Sequence, residues 1–268
     1  MNDDRIVRPL EPRLAAAERA AREAGRLLLS HYGQRGQLAI EQKGLNDFVS
    51  NADREAEDII AAILKPAFPG DGFLGEETGV SGADEAEYVW CVDPLDGTTN
   101  FLKGAHNWCV SIGLWSAGAP VLGVIYDPLR DELFAGASGI AATINGSPIR
   151  TSAIDRLDSS SLGMGRNQRV SPADFARDVE SYFSAGGSFR QVGAGALMLA
   201  YAAAGRVDGY FERHMWPWDA VAGLAIIQAA GGQFMTYPST GGSLPDGALV
   251  LAGTSGLFDA LRTVFTLS

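Results

Sequence analysis

An apolar run that ends in two aspartates is the feature that most constrains the fold of this chain. Residues 88–92 predict a short buried strand, and Asp93-Pro94-Leu95-Asp96-Gly97-Thr98 follows it directly. Proline cannot pair within a sheet ladder and Asp-Gly favours a turn, so the strand is expected to end at Asp93. Two carboxylates three residues apart across such a turn can converge on one point, which the backbone N–H groups of Gly97 and Thr98 can also face. Carboxylates and free amides together suit a hard cation and a phosphate.

Two further stretches place carboxylates where they could join this pair. An Asp-x-x-Asp pair such as Asp93 and Asp96 is, on its own, most often a solvated turn. Here the buried strand before the pair and the Gly-Thr after it favour a site. Gly75-Glu76-Glu77-Thr78 follows the strand signal at 73–74 and alone indicates only a solvated loop. Asp219 opens an apolar helix after Trp216-Pro217-Trp218. There an N-cap aspartate, which contributes about 1 kcal/mol to stability, is an equally good interpretation.

Composition indicates which metal such a site would hold. The chain has three histidines and a total of two cysteines, which argues against a zinc site. Oxygen ligands suit Mg²⁺, and the carboxylates of Glu76, Asp93, Asp96 and Asp219 sum to about −4, which two Mg²⁺ ions would cancel. A phosphate dianion would then favour a third cation or a basic neighbour. The site is therefore expected to hold two to three Mg²⁺ ions.

Charge and hydropathy narrow the class of partner. The formal net charge is −11, and an acidic chain repels polyanions, so no nucleic-acid partner is expected. No stretch approaches the ~18 apolar residues of a membrane span, and the start of the chain does not resemble a secretory signal. Cys91 and Cys109 are interpreted as reduced core thiols. We expect a cytoplasmic protein that acts on a small soluble substrate and has no membrane partner.

Helical and strand patterns alternate along the whole chain. Apolar periodicity predicts helices at about 11–32, 53–64, 172–183, 194–204, 218–229 and 257–266. Short strands are predicted at 73–74, 88–92, 109–114, 121–126, 133–135, 141–144, 149–151, 189–192, 209–211, 232–237 and 248–252. Residues 1–151 are expected to form an α+β half and residues 152–268 an α/β half. Layered helices and sheets around a shared core, in one compact unit, would satisfy both patterns.

The three carboxylate stretches, at these separations, resemble the inositol monophosphatase family of lithium-sensitive, metal-dependent phosphatases. The segment from Asp47 to Asp53 and the segment at 192–212 extend the resemblance, which runs from about residue 10 to the C-terminus. The Asp-Pro-Leu-Asp-Gly-Thr motif with its distant Trp-Asp is specific for the superfamily and less so for the substrate. The resemblance implies a fructose-1,6-bisphosphatase-like sandwich of αβαβα type, lithium sensitivity and a homodimer.

The resemblance also implies a set of metal ligands. Glu76 and Asp93, with the backbone carbonyl of Leu95, would hold the first ion. Asp93 would bridge to a second ion held with Asp96 and Asp219, and these last two would also face the substrate. Glu76 would also reach a weaker third ion through water, and it is expected to be one of the catalytic residues.

Catalytic and substrate-binding roles follow from the same resemblance. Thr98, paired with Asp53, would orient and deprotonate the attacking water, and the amides of Gly97 and Thr98 would bind the phosphate. Glu212 would contact substrate hydroxyls, although a solvated edge glutamate is the competing interpretation. The Gly193-Ala194-Gly195 turn would line the same pocket.

The substrate stays open at this point. Inositol-1-phosphate is the first candidate, and histidinol phosphate, 3'-phosphoadenosine nucleotides and fructose 1,6-bisphosphate are alternatives on similar folds. Thr99-Asn100 resembles the inositol branch more than the nucleotidase branch, and Arg213 beside Glu212 argues mildly against a cationic leaving group. The bulky segment 213–217 and Val221 depart from the family pattern and leave specificity open. A phosphate-binding protein without catalysis is the lesser alternative, because every carboxylate that the chemistry needs is present.

Overall fold

The computed structural model describes residues 9–34, 40–44, 47–82, 86–238 and 242–265, and of residues 40–44 and 47–49 only the backbone. The helices in these ranges are α1 Glu11–Gly33, α2 Asn51–Ala67, α3 Thr98–Lys103, α4 Pro172–Ser184, α5 Gly195–Ala203, α6 Pro217–Ala229 and α7 Phe258–Val264. The strands are β1 Ile40–Gly44, β2 Asp47–Ser50, β3 Gly72–Gly75, β4 Gly79–Ser81, β5 Tyr88–Asp96, β6 Cys109–Ser116, β7 Ala119–Asp127, β8 Glu132–Ala137, β9 Ile140–Ile144, β10 Ser147–Pro148, β11 Ser161–Met164, β12 Ser188–Arg190, β13 Gly209–Met215, β14 Gln233–Phe234 and β15 Ala248–Gly253. Within the described ranges, no helix combines the length and the apolar character that crossing a membrane requires.

A long, mostly antiparallel sheet carries the first half of the fold. Its strand order is β10-β9-β8-β7-β6-β5-β3-β4, and β3 and β5 pair in parallel. The helices α1 and α2 pack on each other and on one face of this sheet. At the start of α2, Ser50 and Asp53 exchange hydrogen bonds as a capping box, which fixes the first turn of the helix.

The opposite face of this sheet is covered by α5 and α6, and a row of glycines lets α6 lie close to the strands. Gly113, Gly123 and Gly136 are paired with one another across β6, β7 and β8. A Cβ atom at Gly123 would overlap the backbone carbonyl oxygen of Ala222 on α6, so a side chain does not fit there. Glycine within a strand is typical of such a close approach. The row sets the height of α6 above the sheet, and with it the position of Asp219.

A smaller sheet with strand order β12-β11-β13-β15-β14 covers the other side of α5 and α6. Its outer face is packed by α4 and α7, where Tyr182, Leu257 and Leu261 are buried. Helix, sheet, helix, sheet and helix therefore follow one another as five layers, which confirms the predicted αβαβα sandwich. The division at residue 151 stays a prediction, and helices from the second half pack on strands of the first.

The strand that carries the aspartate pair is longer than the sequence predicted. Strand β5 runs on to Asp96, and its register with β6 shifts between Asp93 and Asp96. This bulge leaves Pro94 and Leu95 outside the ladder, and proline is tolerated where no ladder hydrogen bond is needed. The aspartates thus lie within a strand on either side of its bulge.

The bounds of other helices and strands also differ from those predicted from the sequence. The helix predicted at 53–64 extends to 51–67 and includes Pro66 in its last turn. Residues 149–151 are not in a strand, because the Asn145-Gly146 turn pairs Ile144 with Ser147 and the second strand of the hairpin already ends at Pro148. The strand predicted at 232–237 is reduced to 233–234.

Candidate functional site

The bulge in β5 directs two aspartates toward one cavity. Asp93 is buried, and its Oδ1 accepts the backbone N–H of Leu95 at 2.8 Å. Asp96 accepts the backbone N–H groups of Gly195 and Ala196 at 3.2 and 2.8 Å, and so binds the N-terminus of α5. Charge-assisted hydrogen bonds of this kind fix both carboxylates in orientation.

Asp219 reaches the same place from the first turn of α6. The N-cap of α6 is Trp216, so the interpretation of Asp219 as an N-cap is wrong, and its carboxylate is available to the cavity. Ser111 on β6 donates its hydroxyl to the backbone carbonyl of Trp218 at 2.8 Å. This bond ties the start of α6 to the larger sheet and positions Asp219.

The carboxylates converge closely enough to share a cation. One oxygen from each of Asp93, Asp96 and Asp219 lies within 4.8 Å of the other two, and Glu76 is hydrogen-bonded to Asp93. Burial raises the pKa of Asp93 well above its usual value, and the charges of Glu76 and Asp219 raise it further. Burial, followed by the charge of Asp96, likewise raises the pKa of Asp219. Such a cluster is stabilised by protons or by cations, and its all-oxygen donor set fits Mg²⁺.

We therefore expect the metal-free protein to bind Mg²⁺ more tightly at pH 8 than at pH 5. Because the carboxyl pKa values are raised, protons stay bound as the pH falls and a cation has to displace them. The increase in melting temperature on adding Mg²⁺, measured at both pH values, checks this expectation. Asp58→Asn removes an exposed carboxylate of α2 and is the matched control, whose shift should equal that of the wild type. Equal shifts at pH 5 and pH 8 would contradict the assignment.

Gly97 and Thr98 stand at the start of α3, beside the carboxylates. Gly97 has φ of 93°, and a Cβ there would lie 2.8 Å from the carbonyl oxygen of Asn107, so glycine is required. The hydroxyl of Thr98 lies 3.1 Å from Oδ1 of Asp53 and 3.0 Å from the carbonyl oxygen of Leu95, and its single hydrogen can be donated to either. Burial raises the pKa of Asp53, while hydrogen bonds from Ser50 and Thr98 oppose the rise. The predicted pairing of Asp53 with Thr98 is present.

Glu57 is a site-supporting residue that the sequence reasoning missed. It is buried, and its carboxylate accepts the backbone N–H groups of Glu77 and Thr78 at 2.9 and 3.0 Å. A Cβ at Gly75 would lie 2.5 Å from this carboxylate. Glu57 thus holds the turn that presents Glu76. Its spacing of four residues from Asp53 on one face of α2 was the available signal.

Glu212 lines a second cavity of about 200 Å³ that adjoins Asp96 and Asp219. It lies inside β13 and is 8% exposed, so its interpretation as a solvated edge glutamate is wrong. The hydroxyl of Tyr210 donates to its Oε2 at 2.6 Å. Burial raises the pKa of Glu212 to about 7, with the hydrogen bond from Tyr210 acting in the opposite direction.

The Gly193-Ala194-Gly195 turn, which the resemblance assigns to the substrate pocket, lines the Glu212 cavity. The side-chain amide of Asn100 holds this turn by donating to the carbonyl oxygens of Val192 and Asn107 at 2.8 and 2.7 Å. In the sequence, Asn100 indicated only the branch of the family and had no role in the site. Its amide joins the start of α3 to the turn before α5, so these two segments are fixed to each other.

The bulky segment 213–217 is divided between two sides of β13. Arg213 forms a bidentate ion pair with Asp178 on α4, at 2.7 and 2.5 Å, and lines neither cavity. Met215 lines the Glu212 cavity, and Trp216 lines the larger cavity that contains the carboxylates. The side chain of Asp47, from the resembling N-terminal segment, lies outside the described residues.

Comparisons with known proteins show the family of this chain. The model of the inositol monophosphatase family matches residues 9–264. An inositol-1-monophosphatase of Mesorhizobium japonicum is 41% identical over 244 residues, covering 90% of this chain and 91% of that protein. Nus factor SuhB of Escherichia coli is 39% identical over 225 residues, covering 83% and 84% of the two chains. The solved inositol monophosphatase of Anabaena superposes with a TM-score of 0.84 at 36% identity, covering 96% of each chain.

Proposed function

The chain belongs to the inositol monophosphatase family, and we propose on that premise that it hydrolyses a small phosphate monoester with Mg²⁺, inositol-1-phosphate being the first candidate substrate. The family is one of phosphoric monoester hydrolases, and the chain is an enzyme of that class. One observation carries the proposal. The carboxylates of Asp93, Asp96 and Asp219 converge beside Thr98, which lies within hydrogen-bond distance of a buried aspartate.

The residues present fit the metal that the family generally uses. Glu76, Asp93 and the carbonyl oxygen of Leu95 would hold one Mg²⁺, and Asp93, Asp96 and Asp219 a second, while a weaker third would be reached through Glu76. When bound, the ions would neutralise the phosphate and lower the pKa of a water molecule toward neutrality. The raised pKa values of the buried carboxylates support this assignment, since the site is short of positive charge.

The chain's own groups would position the reactants. Thr98, held by its bond to Asp53, can accept a hydrogen bond from the attacking water, and the Asp53–Thr98 pair can take its proton. The backbone amides of Gly97 and Thr98 would bind the phosphate oxygens, and Asp96 and Asp219 would face the ester. The leaving group would enter the cavity lined by Glu212 and the Gly193-Ala194-Gly195 turn.

A phosphate-release assay tests the proposal. Purified protein would be incubated with Mg²⁺ and with inositol-1-phosphate, histidinol phosphate, 3'-phosphoadenosine nucleotide, fructose 1,6-bisphosphate and p-nitrophenyl phosphate. Release that requires Mg²⁺ and disappears with EDTA is the expected result. Absence of release from every monoester would reject the function, and the order of kcat/KM values would rank the substrates.

Replacement of Glu212 is expected to affect polyol phosphates selectively. Glu212→Gln should lower kcat/KM on inositol-1-phosphate, because a charged hydrogen bond to a substrate hydroxyl is lost. The expected loss of transition-state stabilisation is about 1–3 kcal/mol. An aryl phosphate offers no hydroxyl, so kcat/KM on p-nitrophenyl phosphate should change little. Tyr210→Phe removes only the bond that orients Glu212 and should give a smaller loss on the polyol. Equal losses on both substrates would mean that Glu212 supports the fold.

Two further proposals rest on the resemblance, and a third on the cysteines. Li⁺ is expected to inhibit turnover at concentrations that compete with Mg²⁺, and unchanged turnover would count against the branch assignment. A homodimer is expected, which sedimentation equilibrium measures directly. A cytoplasmic location is expected, which fits two buried and unpaired thiols at Cys91 and Cys109.

A further inference from the structure

The loop after β11 places two arginines at the rim of the candidate site. Arg166 and Arg169 are both exposed, and both line the same cavity of about 600 Å³ as Asp93 and Thr98. The chain carries a formal net charge of −11, so cations at this rim are a local exception. A volume of this size accommodates an entire small ligand.

Neither guanidinium forms an ion pair with any other described residue. Nε of Arg166 donates to a backbone carbonyl of its own loop at 3.2 Å. The guanidinium carbon of Arg169 lies 4.2 Å from the ring centroid of Trp216. By contrast, both ends of the Arg213 fork are occupied by Asp178. Most N–H groups of the two rim arginines therefore remain available for a ligand.

The loop is held in place by contacts that do not use these N–H groups. The amide of Asn167 donates to the backbone carbonyl of His214 at 2.6 Å, and its Oδ1 accepts the backbone N–H of Arg169 at 2.9 Å. Trp216, beneath Arg169, is itself stacked on Trp218 with ring centroids 5.2 Å apart. A guanidinium held against an aromatic face loses less conformational freedom when a ligand binds.

We propose that the preferred substrate carries a second anionic group, a phosphate or a carboxylate, which Arg166 and Arg169 bind while the scissile phosphate lies at Asp93 and Thr98. This inference rests on the proposed phosphatase function. Arginine matches phosphate and carboxylate oxygens with paired N–H donors. A neutral polyol monophosphate would leave both arginines without a partner. The substrate class under this inference is a bisphosphate or a phosphorylated acid, which ranks fructose 1,6-bisphosphate and the 3'-phosphoadenosine nucleotide above inositol-1-phosphate among the candidates.

Two matched substrate pairs test the proposal. The first pair, glycerol 2-phosphate and 2-phosphoglycerate, differs by a hydroxymethyl group against a carboxylate. The second, fructose 6-phosphate and fructose 1,6-bisphosphate, differs by one phosphate. The wild type is expected to show at least about tenfold higher kcat/KM on the doubly anionic member of one pair, the gain from a charged hydrogen bond. The responding pair identifies the second group as a carboxylate or a phosphate.

Variants then assign the preference to the arginines. Arg166→Gln with Arg169→Gln is expected to lower kcat/KM on the preferred, doubly anionic substrate about a hundredfold, mainly through KM. The loss of kcat/KM on the matched substrate with a single anionic group should be at least about tenfold smaller, because that substrate lacks the second group. Arg150→Gln removes an exposed arginine that lines neither cavity, and it should leave both rates unchanged. Raising the KCl concentration should weaken the wild-type preference by screening.

The outcomes separate this inference from the function on which it rests. A wild type that hydrolyses both members of each pair equally well, or a double variant that loses equally on both, overturns the second anionic site and leaves the phosphatase function intact. No Mg²⁺-dependent release from any of the four substrates, nor from inositol-1-phosphate, overturns both.

Discussion

Asp93→Asn is expected to lower kcat/KM on every phosphate monoester by about a hundredfold to a thousandfold, which corresponds to about 3–4 kcal/mol of transition-state stabilisation. Asp93 is the buried carboxylate that touches both Glu76 and Asp219, and it is the proposed bridge between two ions. An amide keeps the oxygen that accepts the Leu95 N–H but removes the charge. Steady-state kinetics at saturating Mg²⁺ measures the loss.

The stability of the same variant distinguishes loss of a ligand from loss of the fold. Folding raises the pKa of Asp93, so the carboxyl stabilises the fold while protonated, and that contribution disappears as the pH rises through the raised pKa. At pH 7.5 the metal-free variant should therefore melt no lower than the wild type, and it should gain less from Mg²⁺. Asp58→Asn, on the exposed face of α2, should change neither activity nor melting. A variant that retains more than about a tenth of the wild-type rate would rule out a bridging role for Asp93.

The second large effect is expected from a substitution in β7, a strand that carries none of the site carboxylates. Gly123→Ala places a Cβ atom against the Ala222 carbonyl, so α6 has to move away from the larger sheet. Overpacking of this kind costs about 3 kcal/mol, which lowers the melting temperature by roughly 6–12 °C in a chain of this size. Because Asp219 stands on the first turn of α6, activity should also fall, and a displacement of about 1 Å can reduce a rate a hundredfold.

Gly70→Ala is the matched control for this substitution. Gly70 has ordinary φ, and a Cβ there would contact nothing within 4 Å. Thermal unfolding and kcat/KM should both match the wild type. A Gly123→Ala protein that melts within about 2 °C of the wild type, below the shift expected for 1 kcal/mol, would show that α6 can shift without strain.

Short-range features of the site were predictable from the sequence because its carboxylates lie in compact motifs. Asp93, Asp96, Gly97 and Thr98 are neighbours, and their order after an apolar strand indicates a cation and phosphate site before any fold is known. The Trp218-Asp219 pair contributed to the family resemblance. The alternation of helical and strand periodicities predicted the layered architecture. Each of these signals is contained within a few residues or within one regular element.

Tertiary structure alone decided the features that depend on contacts between distant segments. Asp96 binds the N-terminus of α5 across 100 residues of sequence, and Glu57 holds the turn of Glu76 from another element. The burial of Glu212 and the position of Arg166 and Arg169 at the rim follow from how the two sheets face each other around α5 and α6. Periodicity reports which face of an element is apolar, but it carries no information on which polar groups meet across a layer. That is why the sequence determined the chemistry of the site, while packing of the layers decided how its groups are held and what lies at its entrance.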